Sequence, residues 1–128
     1  MFDYTILLAH GSRDPQWAAP FFELEKDLTK QFASVSLAFM ELASPSIEDA
    51  VLQASRNNAK NIAVLPLFLA TGRHLKTDVP ELLAPLRDKY QVDITLLPAV
   101  GEQEEFRVML ANIVGNLLTL NSRPIGLP

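Results

Sequence analysis

The 128-residue chain has no cysteine, two histidines, one tryptophan and five glycines. Lack of cysteine excludes disulfides, thiolate metal sites, cysteine-ligated iron–sulfur clusters and cysteine nucleophiles. Any catalytic or metal-binding role therefore falls to imidazole, carboxylate, hydroxyl or backbone. Basic residues are in deficit, with 11 Lys+Arg against 15 Asp+Glu and a formal net charge of −4. That balance offers no global attraction for nucleic acid or an anionic membrane surface, so neither is expected as a partner. An anionic small molecule would have to be met by a local basic patch. The longest apolar run, residues 62–70, is interrupted by Pro66 and falls far short of the roughly 17–25 residues of a membrane-spanning helix. No basic stretch precedes the first short apolar run, as a secretory signal would require, and the expectation is a cytoplasmic protein.

The five glycines form neither G-x-G-x-x-G nor a phosphate loop ending in Gly-Lys-Ser/Thr, and no G-x-S-x-G occurs. The usual signatures of dinucleotide, nucleoside triphosphate and serine-hydrolase chemistry are thus missing. A flavodoxin-like nucleotide or phosphate binder would need a phosphate loop that this chain lacks.

A hydrophobic content of 48% in a chain of about 100–150 residues suits one compact domain, expected over residues 1–120 with a flexible tail at 121–128. Apolar runs at residues 4–9, 35–40, 61–69 and 92–97 alternate with helix-like stretches at 15–30, 47–58, 80–89 and 102–120. That alternation predicts an α/β fold: a three-layer α/β/α domain around a four-stranded parallel sheet. The first and third runs are the most continuously apolar, as inner strands covered on both faces should be, whereas Val92-Asp93-Ile94-Thr95 alternates like an edge. The predicted strand order is 2-1-3-4. Ser46, with Asp49 three residues on, marks an N-cap. Phe106, Met109, Leu110, Ile113, Val114 and Leu117 form an apolar stripe on the last helix. Pro66 sits awkwardly in a central strand, because it cannot donate a ladder hydrogen bond. The third strand is expected to bend or end there.

The two histidines, His10 and His74, follow the first and third strands, and Glu41 follows the second. In a parallel α/β sheet, ligands bind beyond the carboxyl ends of the strands where the strand order reverses. With adjacent strands about 4.8 Å apart, the two imidazoles could face each other across a gap of metal size. Two imidazoles and a carboxylate suit Co, Ni, Fe or Zn, and imidazole also accepts protons near neutral pH. Taken singly, each histidine could equally be a hydrogen-bonded loop residue, and Glu41 a solvated carboxylate. Arg13, Arg73 and Lys76 lie in the same loops and could supply the local basic patch or merely surface charge. Ser12, Ser44, Ser46 and Thr71 offer hydroxyls near the same edge, although capping accounts for Ser46. Trp17, Phe68 and Leu69 could form an apolar wall, or simply belong to the core.

Three segments together carry a family resemblance: Leu8-Ala9-His10-Gly11-Ser12-Arg13-Asp14, then Met40-Glu41-Leu42-Ala43-Ser44-Pro45-Ser46, then Pro66-Leu67-Phe68-Leu69-Ala70-Thr71-Gly72-Arg73-His74 with Asp78-Val79-Pro80. Over nearly all of its length to about residue 120, the chain resembles the short CbiX-type sirohydrochlorin chelatases, class II tetrapyrrole chelatases related to SirB. The resemblance implies a flavodoxin-like half of a two-domain chelatase, working as a homodimer. It also implies ATP-independent insertion of a divalent metal, Co²⁺ or alternatively Fe²⁺ or Ni²⁺, into sirohydrochlorin for cobalamin or siroheme synthesis. The metal is a substrate, and neither ATP nor an organic cofactor is expected.

By the same resemblance His10 is a catalytic base and metal ligand, His74 the second metal ligand, and Glu41 an acidic residue of the site. Substrate contacts fall on Ser12, Arg13, Ser46 and the segment Leu69, Ala70, Thr71, Gly72, Arg73 and His74. The His-rich stretch or cysteine cluster of some relatives is missing, as is the second histidine of each local motif, which leaves the metal open. A different class of function, a non-catalytic module that binds a metal or a tetrapyrrole, would show saturable binding without turnover.

Overall fold

The computed structural model describes residues 1–121. Its elements are β1 (Tyr4–Ala9), α1 (Pro15–Thr29), β2 (Val35–Phe39), α2 (Ile47–Arg56), β3 (Asn61–Pro66), α3 (Arg73–Tyr90), β4 (Asp93–Leu96), a 3₁₀ turn (Val100–Glu102) and α4 (Glu104–Asn121). The four strands are parallel in the order β2-β1-β3-β4, as the apolar pattern predicts. The inner strands are the apolar ones: on the face turned to α2 and α3, Ile6, Leu8, Ile62 and Val64 are completely buried.

One face of the sheet packs against α2 and α3, where Val51, Ala54, Val79 and Leu83 join Ile6, Leu8, Ile62 and Val64 in the main core. On the other face α1 covers β1 and β2, with Leu7, Ala9, Leu37 and Phe39 buried beneath Trp17, Phe21 and Leu28. Glu25 of α1 accepts a 2.7 Å hydrogen bond from the Leu37 backbone N–H, which occupies a donor on the edge strand β2 that could otherwise pair with another chain.

Local chemistry fixes the helix starts. The Asp14 carboxylate accepts from Gln16 N–H at 2.9 Å, with Pro15 at the first helical position. The Ser46 hydroxyl accepts from Asp49 N–H at 3.0 Å while the Asp49 carboxylate accepts from Ser46 N–H at 3.1 Å, so the anticipated cap on α2 is a complete capping box.

Strand β3 ends at Pro66, the bend or end expected where proline cannot donate to the ladder, although the apolar run continues to residue 69. A larger difference from expectation lies in α3. Helix α3 begins at Arg73 rather than at residue 80 and carries Pro80 and Pro85 inside it. Both prolines are exposed, as are Lys76 and Glu81, whose carbonyls lose their i+4 partners. Water can satisfy those carbonyls, so the usual interior-proline penalty is moderated. The expected flexible tail, residues 121–128, lies outside the described residues except for Asn121, the last residue of α4. No helix among the described residues is long and apolar enough to cross a membrane.

Candidate metal and tetrapyrrole site

The carboxyl ends of β1, β2 and β3 converge on one edge. Parallel pairing of β1 with β2 runs past the named strands: Met40 N–H donates to Ala9 O at 2.9 Å and Glu41 N–H to His10 O at 3.1 Å. Those bonds set His10 and Glu41 side by side. Gly11 is what permits the approach, since its φ is +104° and a Cβ there would lie 1.7 Å from the Glu41 carbonyl oxygen. Only glycine fits a position that is both left-handed and this crowded. The loop after Glu41 adds a second left-handed residue, Leu42 with φ 65°, in a conformation uncommon for a branched side chain.

His10 stacks on Phe68, with ring centroids 4.5 Å apart and planes tilted by 36°. Phe68 is itself buried, so one face of the imidazole rests on a fixed ring while the residue stays solvent-accessible. His74 enters from a different element. It occupies the first turn of α3, whose N-cap is Gly72, and not a loop as the sequence suggests.

His10, Glu41 and His74 nonetheless line the same cleft, a cavity of about 670 Å³ completed by Met40, Leu75, Asp78, Glu81 and Leu82. That volume lies within the ordinary range of small-molecule sites. Asp78 and Glu81 are functional candidates that sequence reading passed over. They follow His74 at intervals of four and seven residues and so share its helix face, a signal that disappears once the helix is started at Pro80. Among the described residues no three His, Asp or Glu side chains are gathered as a ready metal-binding group. The cleft therefore holds imidazoles and carboxylates without a preformed cage of protein ligands.

The remaining sequence candidates lie outside this cleft. The Ser12 hydroxyl accepts from Asp14 N–H at 3.0 Å, and the Ser46 hydroxyl is committed to its capping box. Arg13, Arg73 and Lys76 are exposed. In the 69–72 segment, Leu69 and Ala70 are exposed, and Thr71 donates a 2.6 Å hydrogen bond to Glu102. Thr71, Lys76 and Glu102 line an adjoining cavity of about 330 Å³ whose wall includes Phe68 and Leu75. Leu75 is common to both cavities. The Thr71 hydroxyl, together with the Ala99 backbone N–H and nearby Lys76, holds the Glu102 carboxyl below the usual carboxylate range despite opposing desolvation. Gly101 tightens the same junction: its N–H donates to Phe68 O at 2.9 Å, and a Cβ there would fall 1.9 Å from the Leu69 oxygen.

The CbiX family profile matches residues 4–116. The chain belongs to the CbiX family. A sirohydrochlorin cobaltochelatase of Saccharolobus islandicus is 35% identical over 124 residues, a match spanning 91% of this chain and 97% of the relative. The crystal structure of a putative cobalamin biosynthesis CbiX protein from Marinobacter aquaeolei superposes with TM-score 0.86 at 32% identity, covering 94% of this chain and 98% of that one. The cobalt complex of the sirohydrochlorin chelatase SirB from Bacillus subtilis subspecies spizizenii matches with TM-score 0.69 at 30% identity, over 89% of this chain and 50% of SirB. The CbiX chain thus corresponds in length to half of SirB. Relatives of matching length carry the chelatase name, which supports sirohydrochlorin metal chelation as the activity of this chain's family.

Proposed function

We propose that the chain is a cytoplasmic enzyme, one domain over residues 1–120, that inserts a divalent metal ion, Co²⁺ in the first instance and Fe²⁺ or Ni²⁺ as alternatives, into sirohydrochlorin without ATP. Such a step serves cobalamin or siroheme biosynthesis. The observation that carries the reading is the convergence of His10, His74 and Glu41 on a single cleft in a chain whose similar relatives are named sirohydrochlorin cobaltochelatases.

Metal insertion exchanges two pyrrole N–H protons for one M²⁺, so a base must stand beside the ring and the ion must be held loosely enough to leave. His10 is the base proposed here, its plane set by Phe68, because imidazole takes up protons near neutral pH. His10 and His74 meet the ion, and Glu41 balances its charge and receives protons. A closed four-ligand site would retain the metal, whereas an open one leaves coordination positions for water and then for ring nitrogens.

Charge divides the work in space. Glu41, Asp78 and Glu81 give the cleft a negative lining that attracts the cation. Arg13, Arg73 and Lys76 stand outside it and are suited to orient the peripheral carboxylates of the macrocycle. The 69–74 segment, together with Ser12 and Ser46, forms the proposed macrocycle-binding rim. Ser12 and Ser46 would contact substrate through the lone pairs their caps leave free. A homodimer is the proposed assembly, two copies matching the length of SirB.

The test is absorption spectroscopy with excess sirohydrochlorin and Co²⁺. Loss of the free-base spectrum over many equivalents supports an enzyme. A halt at one equivalent supports the non-catalytic binding module instead, and a rate equal to that of buffer refutes chelatase activity.

A further inference from the structure

The segment between β3 and α3, residues 67–72, is neither helix nor strand, yet it carries Phe68, the ring on which His10 stacks, and leads into the helix start that holds His74. Backbone without ladder or helix bonds needs other partners to keep one conformation. Two of them come from the 3₁₀ turn. The Phe68 carbonyl accepts from Gly101 N–H at 2.9 Å, and the Thr71 hydroxyl donates to Glu102 at 2.6 Å. Leu69 and Ala70, both exposed, bridge these two fixed points. Gly101 lies against that bridge: a Cβ on it would fall 1.9 Å from the Leu69 oxygen and 2.4 Å from the Leu69 Cα, so only glycine lets the turn come this close.

Glu102 makes two bonds with one atom. Its Oε1 accepts from Thr71 and, at 3.3 Å, from the backbone N–H of Ala99 at the head of the same turn. The carboxylate thereby joins the turn to the rim segment. Glu102 lines the adjoining cavity of about 330 Å³ and not the cleft, so any effect it has on the cleft passes through the segment it holds.

We infer that Glu102 is a positioning residue for tetrapyrrole binding: it fixes residues 69–72 in their binding conformation before the macrocycle arrives. This rests on the reading of that segment as the macrocycle rim. A loop ordered in advance binds more tightly because its ordering cost falls on folding rather than on association. The effect belongs in KM more than in kcat, since the Gly101 bond still holds Phe68 under His10 when the Glu102 carboxylate is gone.

Glu102→Ala, at an exposed position, is expected to raise KM for sirohydrochlorin roughly 10-fold through the loss of two hydrogen bonds, with kcat nearly unchanged. Glu102→Gln keeps an acceptor oxygen and should restore KM nearly to the wild-type value. Adding Thr71→Val to Glu102→Ala should raise KM little further, because both substitutions break the same bond. Amide hydrogen exchange across residues 69–72 should quicken in the Ala variant and not in the Gln variant. Titration with metal-free sirohydrochlorin, followed by absorbance, should show the same loss of affinity without turnover. Unchanged tetrapyrrole affinity in Glu102→Ala, a loss confined to kcat, or a Gln variant as impaired as the Ala variant would overturn the role. If the wild type binds the free base but inserts no metal, the chelatase reading fails while the binding and exchange measurements still decide on Glu102. A wild type that binds no tetrapyrrole would overturn both.

Discussion

Helices α3 and α4 have the same length, 18 residues each, and use it differently. In α3 one side buries Val79, Leu83 and Leu86 while the other turns His74, Asp78 and Glu81 toward the cleft. In α4, Met109, Leu110, Ile113 and Val114 are about half exposed. The contrast shows that position in the fold, more than hydrophobicity, decides what a helix contributes. Packing on the sheet lets α3 aim its polar side into the cleft, whereas the α4 side chains named above bury little on this sheet.

The largest expected effect that could break this contrast is on stability. Leu83→Ala should cost about 2–5 kcal/mol, as deletion of a fully buried leucine does, whereas Leu110→Ala should cost less than about 0.5 kcal/mol in dilute monomer. Denaturant titration of both variants measures the difference, and equal losses would mean that α4 is packed like α3. Next in size, His10→Ala should slow sirohydrochlorin metallation by at least about 10²-fold, the usual worth of a positioned base, with little change in melting temperature because the residue is exposed. A rate near wild type would remove His10 from the chemistry.

A smaller effect should follow Thr71→Val, which deletes the 2.6 Å hydrogen bond to Glu102 at the root of α4. KM for the tetrapyrrole should rise by roughly 5-fold, about 1 kcal/mol, with kcat nearly unchanged, and the Glu102 carboxyl should titrate closer to its ordinary value by NMR. The smallest effect concerns how α3 docks on α2. Lys89 donates to Glu48 at 2.5 Å and the Tyr90 hydroxyl at 2.6 Å. The Lys89 bond, followed by that of Tyr90, lowers the Glu48 pKa, and the Glu48 bond raises those of Lys89 and Tyr90. The carboxylate's contribution is therefore present above its unfolded pKa and lost as pH falls through the lowered folded value. That of Lys89 is present below its unfolded pKa and lost as pH rises through the raised folded value. All three groups are open to solvent, so the effect should appear in NMR titration and barely in melting temperature. Tyr90→Phe should move the Glu48 midpoint upward.

Much of this was legible in the residues. Continuous apolar runs marked β1 and β3 as inner strands because burial on both faces leaves no place for alternation, and the strand order followed. Ser46 with Asp49 announced a cap because short oxygen-bearing side chains satisfy free N–H groups at helix starts. His10-Gly11 pointed to a site, although the reason for glycine, a carbonyl of another strand where Cβ would sit, is a tertiary fact that no local pattern contains. The start of α3 was hidden because Pro80 reads as a first-turn proline, and its tolerance depends on Lys76 facing solvent. That single misplacement also hid Asp78 and Glu81, which join His74 only if residues 73–81 form one helix. The apolar stripe of α4 was visible as periodicity, but periodicity cannot say whether the surface that meets it belongs to the same chain.

The central claim is that His10 and His74 serve one ion. A crystal structure of the protein soaked with Co²⁺ tests it directly. The account predicts a single cobalt in the cleft, bound by one ring nitrogen from each histidine at about 2.1 Å, with water at the open positions. Cobalt bound away from the cleft, or by one histidine with the other turned to solvent, would contradict it.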